Sequence, residues 1–183
     1  YHVRQKQLQI VCNHFQIPYL EPNLESLGFE NDYLAGLFDS DGTICFGVSK
    51  TSQQDSQLKG ETGKIVRLQN AREYHQLKIR ITSKSREYLQ LLADAYGFGK
   101  IYGQKANAKS RHPNPLYHWT FQNTDDIDLF LDYFDKKKFH SIKKKRLLLV
   151  PKYKELISKR AHLVDSQSSL RKIWCSFCKK WYS

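Results

Sequence analysis

The stretch Leu34-Ala35-Gly36-Leu37-Phe38-Asp39-Ser40-Asp41-Gly42 is an apolar helical run that closes on two carboxylates. A helix C-terminus carries partial negative charge, so an acid placed there loses roughly 0.3–1 kcal/mol. Stability alone does not select that arrangement. A bound cation offsets the penalty, and carboxylate oxygens are the donors that Mg2+ or Ca2+ prefers. With Asn31 as N-cap and Gly42 ending the helix in a left-handed turn, Gly36 and Ser40 fall one turn apart on a single stripe. Tyr33 precedes them and Leu37 lies beside them. Glycine inside a helix costs about 1 kcal/mol relative to alanine. Backbone-to-backbone packing against a second helix is the natural compensation, so Tyr33, Gly36, Leu37 and Ser40 are expected to face a partner.

Outward from this run, the composition narrows the partner. The chain has 183 residues, enough for one domain with a real core. Its 30 Lys and Arg against 18 Asp and Glu give a net charge of +12, with a pI near 9.5. Such a balance calls for a polyanion, with nucleic acid the first candidate. A membrane is the weaker rival. The mean hydropathy is −0.64, and no stretch approaches the roughly eighteen apolar residues of a spanning helix. A soluble chain with no membrane partner is the expectation. Cys12, Cys45, Cys175 and Cys178 are too few and too scattered for a disulfide framework and fit a reducing compartment. The lone CxxC of Cys175 and Cys178 sits among Trp174, Phe177 and Trp181, which read as packing residues rather than a zinc site.

Along the chain, the apolar spacing predicts a helix over Val3 to Phe15 and, through Pro18 and Pro22, an extended connector. After the apolar run, Thr43 to Lys50 alternates, with Ile44, Phe46 and Val48 on one face. Thr51 to Gly63 reads as a long loop, and Lys64 to Leu68 as a short strand. Tyr74 to Thr82 is a clearer strand, with Leu77, Ile79 and Ile81 inward. Ser85 caps a helix that carries Leu89, Leu92, Ala93 and Tyr96 and ends at Gly97. Two short strands fit Gly99 to Lys105 and Leu116 to Gln122. Thr124 then caps a helix with Ile127, Phe130, Leu131 and Phe134 buried. The order predicts an α+β fold, an antiparallel sheet with helices gathered on one face.

The other face of that sheet is then free. Ser49, Gln76, Lys78, Arg80, Lys100, Tyr102, Gln104, His118 and Gln122 point to it, nearly all donors or cations. Arg and Lys suit guanine, and Gln suits adenine, in a major groove. A plain solvated sheet face is the alternative. The run from Lys136 to Arg146 holds eight basic residues in eleven, Lys144 and Lys145 among them. Against phosphates it releases counterions and makes binding steeply salt-dependent.

The motif LAGLFDSDG resembles that of the LAGLIDADG family of homing endonucleases and intron maturases. Arg4 to Tyr19, Leu129 to Ile157 and Leu170 to Trp181 also look like the second half of two-motif members from organelle introns. The resemblance implies a homing-endonuclease-like fold with a four-stranded antiparallel saddle sheet. It divides the chain into an N-terminal helix and connector (1–22), a LAGLIDADG domain (23–160) and a helical tail (161–183). It also implies that Asp41 holds a divalent metal, Mg2+ or a Ca2+ or Mn2+ substitute, beside scissile phosphates of double-stranded DNA. Asp39 is the weaker candidate, because residues 39 and 41 are about 200° apart on a helix. By the same resemblance Ser83, where glutamine is common, and Lys143 stand around the water pocket as catalytic residues. One motif where two are required implies a second LAGLIDADG domain, either as a homodimer or as a split partner. The family also includes RNA-binding members, so the alternative is a non-catalytic binder of structured intron or ribosomal RNA that needs no metal. Either reading implies a mitochondrial or chloroplast setting.

Overall fold

The alternation that begins at residue 43 builds the sheet. In the computed structural model, which describes residues 2–19, 27–48, 58, 60–71, 75–105 and 115–183, β1 (Gly42–Val48) pairs antiparallel with β2 (His75–Ser83). β2 pairs with β4 (Leu116–Phe121), and β4 with β3 (Lys100–Gln104). The strand order is β1-β2-β4-β3, all antiparallel, which leaves β1 and β3 as edges. Ile44, Leu77, Ile79, Ile81, Trp119 and Phe121 line the inner face and are buried.

The helices among the described residues are α1 (His2–His14), α2 (Tyr33–Asp41), α3 (Gly60–Asn70), α4 (Arg86–Tyr96), α5 (Thr124–Lys136), α6 (Lys143–Leu147), α7 (Val150–Ser158) and α8 (Ser169–Tyr182). α1 exposes Leu8, Ile10 and Val11, and the core over the inner face is built by the helices that follow it. The α+β architecture with one covered face is as expected. α2 buries Leu34, Ala35 and Phe38, and Phe38 meets Phe130 of α5 at a ring-centroid distance of 5.0 Å. Tyr133 of α5 clamps the other end of α2. Its hydroxyl donates to the Asn31 carbonyl at 2.9 Å and accepts the Ala35 N–H at 3.1 Å. Trp119 donates its indole N–H to the Phe98 carbonyl at 2.9 Å. Beyond β1, the Phe46 ring packs at a tilt against Tyr153 of α7 and Trp181 of α8, at centroid distances of 4.6 and 4.4 Å.

Four local expectations are corrected. Lys64 to Leu68 is not a strand but the middle of α3, and the loop expected through Gly63 is already helical from Gly60. The run holds β-branched Ile65 and Val66, yet α3 lies against α8, where Leu68 is buried and Gln69 donates to the Cys175 carbonyl at 3.1 Å. Packing overrides a short ambiguous pattern. Gly42 is extended (φ −70°, ψ 150°) rather than left-handed. It pairs with Ile81 as the first residue of β1, so helix passes to strand without a turn. Its missing Cβ is still required, since an added methyl would overlap the ring and carbonyl oxygen of Phe38. The N-cap of α2 is Asp32 rather than Asn31, although Asn31 supplies the capping oxygen, accepting the Tyr33 N–H at 3.0 Å. Asn123, not Thr124, caps α5, accepting from Asp126 N–H at 2.7 Å. Ser85 and Gly97 cap α4 as expected, Gly97 in the left-handed region at φ 72°.

Candidate nucleic-acid interface and motif-helix end

Period-two pairing brings the expected readers onto the outer face. Cys45 stands opposite Lys78 and Gly47 opposite Gln76. Arg80, Thr120 and Lys100 form one row across the sheet, and Thr82, His118 and Tyr102 the next. A groove of about 470 Å³ runs between Gln76, Lys78, Arg80, Tyr102, His118, Thr120 and Gln122. Gln104 and Lys100 border it on the edge strand β3. Ser49 lies outside the described residues. The sequence reading missed Thr43, Cys45, Thr82 and Thr120, which the same alternation places on this face.

These side chains hold one another. Thr82 Oγ1 is 2.9 Å from His118 Nδ1, and His118 Nε2 is 3.1 Å from Gln104 Oε1. Gln122 donates to the Tyr102 hydroxyl at 3.0 Å. Burial, followed by the charge of Arg80, pushes the His118 pKa down. A neutral imidazole satisfies both contacts, donating from Nε2 and accepting at Nδ1. Among the described residues no acidic side chain lines the groove.

At the end of α2 the two acids part company, as their angular separation requires. Asp39 is committed internally. Its Oδ2 accepts the His140 N–H at 2.7 Å, and its Oδ1 accepts the Ser141 hydroxyl at 2.6 Å and the Ser141 N–H at 3.3 Å. Burial acts to raise the Asp39 pKa, but these hydrogen bonds and the nearby His140 hold it below the ordinary value. Asp41 is exposed and, among the described residues, its carboxylate takes part in no hydrogen bond or ion pair. Lys143 reaches the same end of the helix, where its ammonium donates to the carbonyls of Phe38, Asp39 and Ser40 at 2.9, 2.7 and 3.1 Å. Burial pushes its pKa down, and the charges of Asp39 and Asp41 act against that shift. Part of the electrostatic penalty on the motif is therefore met from within the chain.

Ser83 ends β2 as expected of its place in the strand, where it shares the parity of Ile79 and Ile81, and its hydroxyl accepts the Ser85 N–H at 3.2 Å before α4. Lys144 and Lys145 are exposed, whereas Arg146 donates to the Trp181 carbonyl at 3.2 Å and Lys137 pairs with Asp32 at 3.3 Å. Only part of the basic run is free for a partner. The stripe of α2 is bare. Tyr33, Gly36 and Ser40 are exposed and Leu37 is half-buried, and a Cβ on Gly36 would meet nothing within 4 Å. Tyr33 shares a 2.6 Å hydroxyl contact with Tyr88 of α4, and burial, then that contact, pushes the Tyr88 pKa up.

Comparison with known proteins decides what this arrangement belongs to. The sequence profile of the LAGLIDADG endonuclease matches residues 34–153, most of the chain. The chain belongs to the LAGLIDADG family. It is 30% identical over 176 residues to the probable intron-encoded endonuclease aI2 of Debaryomyces hansenii, covering 96% of this chain and 24% of that protein. The intron-encoded RNA maturase bI4 of Saccharomyces cerevisiae is 28% identical over 175 residues, covering 96% and 23%. The intron-encoded DNA endonuclease ai2a of Dictyostelium discoideum is 27% identical over 181 residues, covering 98% and 49%. The chain thus spans a quarter to a half of the length of these curated relatives. Among solved structures, the LAGLIDADG fold recurs in meganuclease I-SmaMI bound to uncleaveable DNA, with a TM-score of 0.54 at 18% identity over 87% of this chain and 48% of that one. It recurs also in I-GzeII in complex with its DNA target, with a TM-score of 0.52 at 18% identity over 93% and 51%. Among the described residues no helix is long and apolar enough to cross a membrane.

Proposed function

We propose that this LAGLIDADG chain forms half of a site-specific homing endonuclease that hydrolyses double-stranded DNA. The observation that carries the reading is α2. Its inner side is sealed by Leu34, Ala35 and Phe38, its outer stripe of Tyr33, Gly36 and Ser40 is bare, and the helix ends at an exposed carboxylate. A second LAGLIDADG domain, in a homodimer or a split partner, covers that stripe and brings a second acid beside Asp41.

The donor chemistry fits a hard divalent cation such as Mg2+, for which Asp41 offers carboxylate oxygens. Among the described residues no group of three or more His, Cys, Asp and Glu is able to enclose a metal, so Asp41 would need further ligands from a partner domain and the phosphates to hold one. Bound there, Mg2+ supplies activation of water and stabilisation of the leaving oxygen. Gln76, Lys78, Arg80, Lys100, Tyr102, Gln104, His118 and Gln122 then read base edges, while Lys144 and Lys145 contact phosphates. The similarity to intron-encoded proteins supports the mitochondrial or chloroplast setting of this reading.

A second reading is an RNA-binding descendant acting on intron or ribosomal RNA without metal, favoured by the similarity to an RNA maturase. Cleavage of a randomised supercoiled plasmid library in Mg2+, compared with binding to group I intron RNA, tests both. Wild-type linearisation that Asp41→Asn abolishes, with DNA affinity equal or higher, supports the endonuclease. Cutting retained by Asp41→Asn removes Asp41 from the mechanism. Tight intron binding with no cleavage replaces the first reading with the second.

A further inference from the structure

We propose that Asp39 is a positioning residue that acts through Lys143 to fix the backbone carrying Asp41. This rests on the endonuclease reading for its consequence, but not for its geometry. The last carbonyls of any helix lack partners within the helix. In α2 they have no capping loop of the usual kind, because the chain enters β1 directly at Gly42. Phe38 O accepts the Gly42 N–H, and the remaining demand is met by one ammonium, from Lys143, shared over three successive carbonyls.

Lys143 opens α6 directly after the segment that joins it to α5, which has no regular secondary structure at residues 138–140. What fastens that segment is Asp39. Both its oxygens are used by donors at His140 and Ser141, two to three residues before Lys143. Acceptor and donor therefore cross in opposite directions. The helix side chain holds the loop, and the loop side chain holds the helix backbone. The Ser40 carbonyl at the end of this latch belongs to the peptide that leads into Asp41, so its orientation sets where the Asp41 carboxylate starts. Asp41 itself takes no part in the latch and stays exposed. The motif thus commits one acid, Asp39, to the loop and leaves the other, Asp41, exposed.

If Asp39 merely pins the loop, its loss affects the loop alone. If it acts through Lys143, the effect crosses to the far side of the ammonium. Amide hydrogen exchange on the full chain distinguishes these without any cleavage. Asp39→Ala is expected to speed exchange at the Asp41 and Gly42 amides by about tenfold or more, the range expected for losing charge-assisted hydrogen bonds in a local opening. Lys143→Met is expected to speed the same amides, and the double variant to be no faster than either single one. Where Asp39→Ala fails to fold, Asp39→Asn serves. It keeps one acceptor for Ser141 and is expected to give a smaller effect at the same amides. Faster exchange at His140 and Ser141 alone, or effects of the two substitutions that multiply, overturns the proposal.

A second arm reads the consequence. In Asp39→Asn, the Mg2+ concentration for half-maximal cleavage is expected to rise while DNA affinity stays as in wild type, and Lys143→Arg to restore more activity than Lys143→Met. An unchanged Mg2+ dependence with only a lowered melting temperature makes Asp39 a structural residue and overturns the proposal. Absence of cleavage by the wild type instead overturns the endonuclease reading and leaves the exchange result to decide the latch.

Discussion

Replacing Gly36 by alanine is expected to move two measurements in opposite directions. Within this chain the position is an exposed helix interior, its N–H bonded to the Asp32 carbonyl at 3.1 Å, with nothing within 4 Å of where a methyl would sit. Alanine keeps that hydrogen bond and removes the backbone entropy that glycine loses on folding, a gain of about 1 kcal/mol. For a domain of this size each kcal/mol raises the melting temperature by about 2–4 °C. Measured at low concentration, Gly36→Ala therefore melts higher than wild type. In the two-domain assembly proposed above, the same methyl would enter a close helix–helix contact, where overpacking costs roughly 1–3 kcal/mol. That weakens association by about ten- to a hundredfold, read by sedimentation equilibrium against the partner domain or the second copy. Gly36→Leu would abolish it. An Ala variant that melts lower when dilute, or that assembles as well as wild type, refutes the argument that Gly36 is kept for a partner.

Acid is expected to weaken the fold through His75. Its Nε2 lies 2.7 Å from the Ala71 carbonyl oxygen, its ring packs 4.8 Å from that of His162, and burial holds its pKa at about 4 against an ordinary 6.5. The unfolded chain then binds the proton more readily than the folded one. Stability is complete above pH 6.5 and declines as the pH falls toward 4, and urea melts of wild type and His75→Gln check it. An unaltered pH dependence in the variant excludes His75 as the cause. Charge reversal of the exposed Lys144 and Lys145 is expected to make the plot of log affinity against log salt shallower by about 1 to 2 units. An unchanged slope places the phosphate contacts elsewhere.

What the sequence made legible was periodicity backed by end signals. β2 read cleanly because Leu77, Ile79 and Ile81 alternate with Gln76, Lys78 and Arg80, and α4 because Ser85 and Gly97 bracket its apolar stripe. α3 did not, since five residues with Ile65 and Val66 suit either state, and its contact with α8 lies over a hundred residues away in the chain, as Gln69 to Cys175 shows. The α2 stripe and the split between Asp39 and Asp41 followed from helical angles alone. The partner of Lys143 did not. A lysine 103 to 105 residues beyond the carbonyls it caps carries no local signal, and only the folded topology joins them.

The couplings on the outer sheet face bear on how such a surface acquires a new target. His118 is bonded to Thr82 on one side and Gln104 on the other, across three strands, and Gln122 is bonded to Tyr102. A substitution at His118 strands two neighbours that would then seek other partners, so its effect on what this face binds depends on what stands at positions 82 and 104. On the proposed reading of this face as a base reader, a change of recognition sequence is expected to proceed by linked changes at these bonded positions rather than one residue at a time.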